Sequence, residues 1–566
     1  MRERAATPSA RGAPATAAPA GTSWLAGLPP LALLLVGPLL SPEVSSWGRV
    51  ALLLAGVGTA LALAATLPPA CGRSRLSLVA LAFIPVTAAA IAAADQGAAA
   101  ARLLDLGLLT VAFWAGRDLL GVGARPRVAA LLAATGTLTA LHGLYQRGWG
   151  FARDLAVLER ADLPDAPLYA LRLQTGRIFA SFLLPSAFAG FLILSLPATL
   201  ALAGRDRSRG GRVVLLALAL VQGVALMLTF SHGALLALAI AGVLVGSQSG
   251  SGARRRRALV AACVALTLLL VVAWARGERL AGPQGALNPA VERLENWRVA
   301  VAMVVDHPLT GVGWGSFGGS YSQYHRPGTN QTRFAHNTYL QVVAEAGLTT
   351  LPFLLLLLAG AWRGVRARES CNADAWLWLG LLAVLAHNAL DFTLLLPSVG
   401  VPSCLLAGVL ASAPRPQGRR GSGRAAALGL ALLLAAGLLP ALGRGAAERA
   451  RDALLEGNGT EAGARMRLAR RLDPLQADYA DFLARLELDT GGGDAARLAH
   501  ARDLAEIACR LDRRTPHHRT TLEMVCEAQG DLAGALRAAQ RAAVLAPASA
   551  EYRARLERLG RIVERR

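Results

Sequence analysis

The sequence contains no lysine. All 58 of its basic positions are therefore arginine, and the formal net charge is +21. A GC-rich genome produces such an all-arginine complement as readily as any function does, so the charge alone does not indicate nucleic-acid binding. The positive residues have to be interpreted by their location along the chain.

Two motifs of common enzyme classes are also missing. The six cysteines form no Cys-x-x-Cys redox motif, and no Asp-x-Asp motif for a metal-bound nucleotide sugar occurs. His307, His325 and His336 lie in one segment but lack the compact spacing of metal ligands. The sequence therefore predicts a site that works without a metal or another cofactor.

Apolar residues dominate what is present. They make up 54% of the chain, and the mean hydropathy is +0.42, which is too high for a soluble protein of this length. Runs long enough to cross a bilayer predict about thirteen spans in an all-α, polytopic transmembrane bundle. The predicted spans are 24–40, 48–67, 76–94, 103–121, 128–144, 179–203, 213–230, 233–248, 258–274, 345–362, 376–396, 398–412 and 425–443.

Arginines are concentrated in every second connection between these spans. Because positive residues stay in the cytoplasm, the alternation predicts a cytoplasmic N-terminus and a C-terminal tail on the outer side. Residues 1–22, rich in Ala, Pro and Ser, are predicted to be a disordered cytoplasmic tail. The arginine-rich connections contain Arg73 and Arg75; Arg117, Arg125 and Arg127; Arg205, Arg207, Arg209 and Arg212; Arg254 to Arg257; Arg363, Arg366 and Arg368; and Arg415, Arg419, Arg420 and Arg424.

Two of the predicted outer connections are long, residues 145–178 and 275–335. Long connections in a compact membrane domain are usually functional. In the second, Arg293 and Trp297 fit a short amphipathic helix in the membrane interface, which Pro308 and the following glycines end. These glycines follow no strand, so they are a weak indication of a phosphate-binding loop.

Several motifs together resemble those of the O-antigen ligase and polymerase superfamily, membrane glycosyltransferases of the bacterial envelope. The most specific are Arg-x3-Trp at Arg293, HPLTGVGWGSF, and HNTYLQVVAEAGL from His336. The stretch GRIFASFLLPSAFAGFL carries Arg177 at the position of a family arginine. LTFSHGALLAL departs from the family, since His232 stands where the arginine of Ser-Arg-Gly is expected, and AHNALDFTL also resembles the family.

The resemblance implies a transmembrane domain over residues 23–443 that moves a glycan from an undecaprenyl-diphosphate carrier to a sugar hydroxyl at the periplasmic face of the bacterial inner membrane. The resemblance implies a lipid A core or another glycan as the acceptor. His336 is the candidate general base, because a histidine that titrates near neutrality can take the acceptor proton. Arg177 and Arg293 are candidates for binding the diphosphate, since a guanidinium fork matches phosphate geometry.

Three further residues are candidate substrate-binding groups. Asn337 follows the catalytic candidate, and Glu345 falls on nearly the same helical face or pairs with an arginine. His232 is either a helix cap or, when protonated, a phosphate contact. His387 and Asp391, at helical i,i+4 spacing, instead favour a structural hydrogen-bonded pair.

Residues 444–566 are rich in Ala, Arg and Leu rather than uniformly apolar, and they contain a sequence repeat. Gly457, Ala462, Ala469 and Pro474 have the same spacing as Gly530, Ala535, Ala542 and Pro547, with Ala501 and Ala508 as a degenerate middle copy. The spacing resembles tetratricopeptide repeats, predicts a small α-helical repeat domain and implies a protein partner. Cys509 and Cys526 within it are either bridged or two buried thiols.

The sequence leaves alternative functions open. A polymerase of lipid-linked repeat units, or a transfer to protein, would use the same donor and the same residue types. A lipid-linked glycan transporter, from another class, would place its site near the bilayer midplane, between inverted repeats. The charged groups gather at one end of the spans and no internal symmetry is apparent, so the sequence favours the transferase.

Overall fold

The computed structural model describes residues 24–66, 78–159, 166–248, 289–327, 331–367, 372–412, 423–490 and 494–565. Every regular element within these ranges is a helix, which confirms the predicted all-α class. The predicted N-terminal tail 1–22 and the predicted span 258–274 lie outside the described residues.

The apolar helices form the membrane part. Each predicted span within the described residues overlaps a helix, although the helix of span 376–396 ends at His387 and span 345–362 begins in a separate helix. Among the described residues, seven helices are long and apolar enough to cross a membrane. In chain order the helices of this part are α1 (Leu28–Leu40), α2 (Ser46–Thr66), α3 (Leu78–Ile91), α4 (Gln96–Trp114), α5 (Arg125–Tyr145), α6 (Phe151–Leu158), α7 (Ala166–Gln174), α8 (Pro185–Arg205), α9 (Arg209–Leu228), α10 (His232–Ser247), α11 (Pro289–Asp306), α12 (Phe317–Tyr324), α13 (Thr338–Ala346), α14 (Leu351–Ala367), α15 (Asn372–His387), α16 (Pro397–Ala411) and α17 (Gly423–Ala436).

Helix α8 lies at the centre of the bundle. Its most apolar window is 78% buried inside the protein, whereas that of Leu348–Arg366 is only 11% buried and so faces outward. A polar group fixes the central packing: fully buried Gln222 of α9 donates to Thr199 Oγ1 of α8 at 2.9 Å and to Thr137 Oγ1 of α5 at 3.1 Å. A buried amide satisfied in this way sets the register of three helices.

The ends of the helices meet on two faces. At one face, Asp374 at the start of α15 accepts hydrogen bonds from Arg125 at the start of α5 and, at 3.0 Å, from Arg205 at the end of α8. At the other, Ser181 before α8 donates to Pro38 O near the end of α1. We name the face with Asp374, Arg125 and Arg205 the arginine face, and the face with Ser181 and Pro38 the repeat face. The contacts agree with the predicted alternation of arginine-rich connections.

The C-terminal part begins as a continuation of the membrane part. The apolar helical segment Gly423–Leu455 is long enough to cross the bilayer and emerge from it. The remaining helices form hairpins: α18 (Leu438–Leu455) pairs with α19 (Gly459–Leu472), α20 (Ala477–Thr490) with α21 (Ala495–Leu511), and α22 (Pro516–Ala528) with α23 (Leu532–Leu545), and α24 (Ala550–Glu564) follows. Helix α18 is thus continuous through the predicted domain boundary at residue 444.

Small residues allow these hairpins to close. The alanines of the predicted repeat are all buried, and Gly457 and Gly530 have φ of +79° and +76° at matching turns. Both equivalent turns thus require a backbone conformation that glycine adopts without strain. The buried alanines are Ala462, Ala469, Ala501, Ala508, Ala535 and Ala542.

The hairpins dock against the membrane part on the repeat face. The backbone N–H of Arg513, in the turn between α21 and α22, donates to Ala94 O at 3.0 Å. The neighbouring Arg514 donates to Ser320 Oγ of α12 at 2.6 Å. The C-terminal helices and the segment that contains α11 to α13 therefore lie on the same side of the bundle, as predicted.

Candidate active site

His336 lies in a short loop at the start of α13, on the repeat face. Asn337 is the N-cap of this helix, since its Oδ1 accepts from the backbone N–H of Leu340 at 3.0 Å. On the other side of the histidine, the N–H of Ala335 donates to Gln341 Oε1 at 3.0 Å. His336 is thus held on both sides by helix α13. Asn337 is also a candidate substrate-binding group, and its side-chain oxygen is already engaged in this cap.

The backbone of His336 is itself unusual, with φ of +53°. Ala180 and Phe230 are also left-handed, with φ of +49° and +51°. Each of the three lies in one of the motifs that carry the family resemblance. A non-glycine residue in this region costs on the order of 1–3 kcal/mol and persists where the surroundings over-determine it.

Helix α13 is fixed to the end of α15. Thr338 Oγ1 donates to Asn388 Oδ1 at 2.7 Å, and its backbone N–H donates to Asn388 O at 2.9 Å and to Asp391 O at 3.0 Å. Tyr339 Oη donates to Leu385 O at 2.7 Å. These bonds bring the loop of His336 against the turn that follows α15.

That turn places one carboxylate between two histidines. Asp391 Oδ1 lies 4.0 Å from His336 Nδ1, and Asp391 Oδ2 lies 3.9 Å from His387 Nε2. Asp391 is 1% exposed and His336 is 29% exposed, so only His336 is open to a substrate. The predicted placement of His387 and Asp391 on one helical face is wrong, because α15 ends at His387 and Asp391 lies beyond it.

The electrostatic surroundings keep His336 neutral. Burial lowers the pKa of His336 below its ordinary value; the negative charge of Asp391 raises it, and the positive charge of Arg293 lowers it. His336 Nδ1 is buried and makes no hydrogen bond within the described part of the chain. A neutral imidazole is the form that accepts a proton.

Two arginines that the sequence marked as candidates are connected to this centre in different ways. Arg293 lies on α11, which ends at Asp306, just before Pro308, and its charge acts on both histidines of the centre. Arg177 donates from Nε to Thr229 O at 2.9 Å, which ties its loop to the turn before α10. That turn reaches the centre, because a Cβ built on Gly233 would lie 3.5 Å from His387 Nδ1.

His232 begins α10 in the same turn, where Ser231 is the N-cap residue. The turn therefore joins Arg177 to the His387 side of the centre. Arg177, His232, Arg293 and His336 come from four different segments of the chain, and the fold brings these segments together at the repeat face.

Glu345 does not face a substrate. It is 4% exposed, and its carboxylate accepts from the N–H of Gly315 at 3.0 Å and from Gln341 Nε2 at 3.0 Å. Since Gln341 also holds Ala335, the glutamate connects the glycine loop to the loop of His336. Its effect on His336 is therefore one of position.

The glycines that follow Pro308 allow their loop to pack closely against neighbouring backbone. Gly311, Gly313 and Gly315 have φ of +64°, +107° and +77°. A Cβ on Gly313 would lie 2.7 Å from Ala93 Cα, and one on Gly311 would lie 2.3 Å from the Glu345 carbonyl carbon. The loop thus passes against α13 and the end of α3, and only glycine fits at these points.

Sequence reasoning missed Arg102 of α4. Its guanidinium donates to Leu395 O at 2.9 Å and lies 5.1 Å from the ring centroid of Phe334. Phe334 stacks on Phe392 at a centroid distance of 3.9 Å, and the edge of the His336 ring meets Phe392 at 5.0 Å. An arginine within an apolar helix is the signal that points to such a residue.

The described side chains offer no ready metal ligands. Within the ranges given above, no group of three or more His, Cys, Asp or Glu side chains has a geometry that would hold a metal ion.

A comparison with protein families matches residues 213–355 to the family described as O-antigen ligase. This match supports the O-antigen ligase superfamily for residues 213–355. The matched segment contains His232, Arg293 and His336, while Arg177 and Asp391 lie outside it. No curated protein matches the chain. Together with the seven described helices that are long and apolar enough to cross a membrane, the match supports a multi-pass membrane glycosyltransferase of the O-antigen ligase and polymerase type.

Proposed function

We propose that this O-antigen ligase family protein transfers a glycan from an undecaprenyl-diphosphate carrier to a sugar hydroxyl, with His336 as the general base. The observation that carries the proposal is the His336–Asp391 pair beside Arg293. A neutral, partly exposed imidazole backed by a buried carboxylate is suited to take a proton from a hydroxyl. The adjacent guanidinium is suited to a phosphate.

In the proposed reaction, the acceptor hydroxyl oxygen attacks the anomeric carbon of the donor. The bond from this carbon to the diphosphate oxygen breaks, and its electron pair leaves with the diphosphate. With Nδ1 directed at Asp391, Nε2 of His336 takes the hydroxyl proton. Arg293 and Arg177 stabilise the negative charge that develops on the leaving group. Such stabilisation is strongest in a site from which water is excluded. The activated ester supplies the free energy.

Asp391 has a positioning role in this scheme. Once His336 is protonated, the carboxylate 4.0 Å away stabilises the imidazolium and holds the ring orientation. Catalytic contacts are often long without substrate and shorten when it binds. His387 lies on the other side of the carboxylate, with its Nε2 3.9 Å from Oδ2, and is too buried to meet a substrate.

The repeat face is proposed to be the periplasmic face of the bacterial inner membrane. The arginine-rich connections support this, since Arg125 and Arg205 meet at the opposite face. The C-terminal hairpins would then lie in the periplasm, where a tetratricopeptide-like array is suited to bind a protein partner of glycan assembly.

A ligase and a polymerase share the donor and the centre and differ in the acceptor, a lipid A core in one and a lipid-linked glycan in the other. Deletion of the gene separates them. Loss of long chains from lipopolysaccharide together with accumulated lipid-linked polymer identifies a ligase, and accumulated single repeat units identify a polymerase. Envelope glycans that are unchanged in the deletion strain would contradict the proposal.

The transporter alternative makes a different prediction for purified protein. A transferase in detergent, given lipid-linked glycan and acceptor, forms the glycosylated acceptor with no membrane to cross. A transporter leaves both substrates chemically unchanged under these conditions. The position of His336 at one end of the bundle supports the transferase.

A further inference from the structure

A second site candidate lies in the C-terminal hairpins, away from His336. A cavity of about 350 Å³ opens between α21 and α22, close to where the hairpins dock on the membrane part. A pocket of this size holds a small molecule or a headgroup. The lining residues are Glu506, Cys509, Arg510, Arg513, Arg519 and Leu522.

Backbone carbonyls hold two of the three arginines in place. Arg519 donates to Cys509 O at 3.2 Å, while its Nε–H is buried and has no acceptor within the described residues. Arg513 donates to Ala93 O at 3.3 Å, at the end of α3. A guanidinium oriented by a carbonyl keeps its full charge and its remaining donors for a ligand.

Glu506, the one carboxylate among these lining residues, also pairs with Arg502, which is not part of the lining. Glu506 lies 3.3 Å from Arg502 and 3.8 Å from Arg510, so it offsets only part of the positive charge of the pocket. Burial raises the pKa of the Cys509 thiol to about 11, which keeps this group uncharged at neutral pH. Cys509 and Cys526 are both buried, free thiols rather than a bridge.

We propose that Arg510, Arg513 and Arg519 form a binding site for a phosphate group carried by a larger molecule. Guanidinium forks match phosphate oxygens, and the apolar floor at Leu522 accommodates the rest of the ligand. The contact of Arg513 with Ala93 puts the pocket at the membrane boundary. Two sources present this chemistry there, the headgroup of an anionic phospholipid and a phosphorylated sugar. The proposal is independent of the transfer reaction at His336.

The first test measures phosphate binding directly. Inorganic pyrophosphate is titrated into the full-length protein in a neutral detergent, and binding is followed by calorimetry at low ionic strength. We expect saturable binding that weakens by about tenfold or more in the variant R510Q/R519Q, because two charge-assisted contacts are lost. The matched control is Arg541→Gln, an exposed arginine of α23 that is absent from the lining.

Folding and the identity of the site are controlled separately. If R510Q/R519Q unfolds, the single variant Arg510→Gln replaces it, because Arg510 is exposed and its substitution should leave the fold intact. This variant should also weaken pyrophosphate binding. The pocket is refuted if the wild-type protein does not bind pyrophosphate. It is also refuted if Arg510→Gln and Arg541→Gln bind it as tightly as the wild type.

A second test distinguishes the two sources. The protein is placed in phosphatidylcholine nanodiscs with or without phosphatidylglycerol, and pyrophosphate binding is measured in each. Weaker binding with phosphatidylglycerol identifies a lipid headgroup as the natural ligand. Competition by glucose 6-phosphate in phosphatidylcholine alone identifies a phosphorylated sugar. If neither competes, the site does not recognise a phosphate carried by a larger molecule, and the proposal fails.

Discussion

His336 Nδ1 lies 4.0 Å from Asp391 Oδ1, although the two residues belong to different segments of the chain. The hydrogen bonds of Thr338 to Asn388 and Asp391 create this proximity, because they hold the start of α13 against the turn after α15. The pair therefore depends on a contact between elements, and a substitution on either side tests it.

Removal of the imidazole should abolish most of the transfer. For His336→Ala we expect the rate to fall by about 10²- to 10⁴-fold, the range for loss of a general base, while the protein stays folded and still binds the donor. The measurement is glycan transfer by purified protein in detergent. His325→Ala, a histidine in the same segment but outside the centre, serves as control. A nearly normal rate in His336→Ala would make the residue merely structural.

The pH dependence of transfer should report on the same pair. The base acts when neutral, so activity is lost as the pH falls through the pKa of His336, and burial places the midpoint below the ordinary value of 6.5. Asp391→Asn removes a charge that raises this pKa, so its acidic limb should shift to still lower pH, with a reduced plateau. A profile of Asp391→Asn that coincides with the wild type would exclude the coupling.

Substitution of Arg293 should weaken binding of the donor. Arg293→Ala is expected to weaken donor binding and transfer together, by about tenfold or more, because a cation facing the diphosphate acts in both the ground state and the transition state. Arg293→Lys should recover only part of this loss, since the fork is missing. Binding of the lipid-linked donor and its turnover are measured for both variants. Unchanged donor affinity in Arg293→Ala would contradict the assignment.

The glycine loop offers a test of stability. Gly313→Ala places a Cβ 2.7 Å from Ala93 Cα at a φ of +107°, so we expect a loss of roughly 1–3 kcal/mol in the free energy of unfolding. Gly148→Ala is the control, because nothing lies within 4 Å of its Cβ position and its φ is not positive. Thermal unfolding in detergent compares them. Equal melting temperatures for the two variants would show that the close approach does not exist.

The orientation is testable without activity. An enzyme reporter that works only in the periplasm should be active when fused after Arg566, since the hairpins dock on the repeat face. The same reporter fused after Arg207, on the arginine face, should be inactive. The reverse pattern would place the candidate site in the cytoplasm and exclude a donor presented at the outer leaflet.

Much of the fold could be predicted from the sequence, because each span satisfies its own backbone hydrogen bonds and needs only enough apolar residues in a row. The spans, the alternation of arginine-rich connections and the buried alanines of the hairpins are all local patterns. Arg177, Arg293 and His336 were chosen as candidates from motifs that are local stretches of sequence, and their roles stay predictions.

The partners of these residues were decided only by tertiary structure. Asp391 was predicted to form a structural pair with His387 on one helical face. The two side chains do lie 3.9 Å apart, but α15 ends at His387, and the turn beyond it also places Asp391 4.0 Å from His336. Glu345 was predicted near the substrate and is buried beneath the glycine loop. The contacts of Arg102 with Leu395 and Phe334 join separate segments of the chain, and the arginine pocket is lined by residues of two helices and the turn between them. Sequence spacing determines which residues share a helical face, but contacts between helices depend on packing of the whole bundle, which no local pattern specifies.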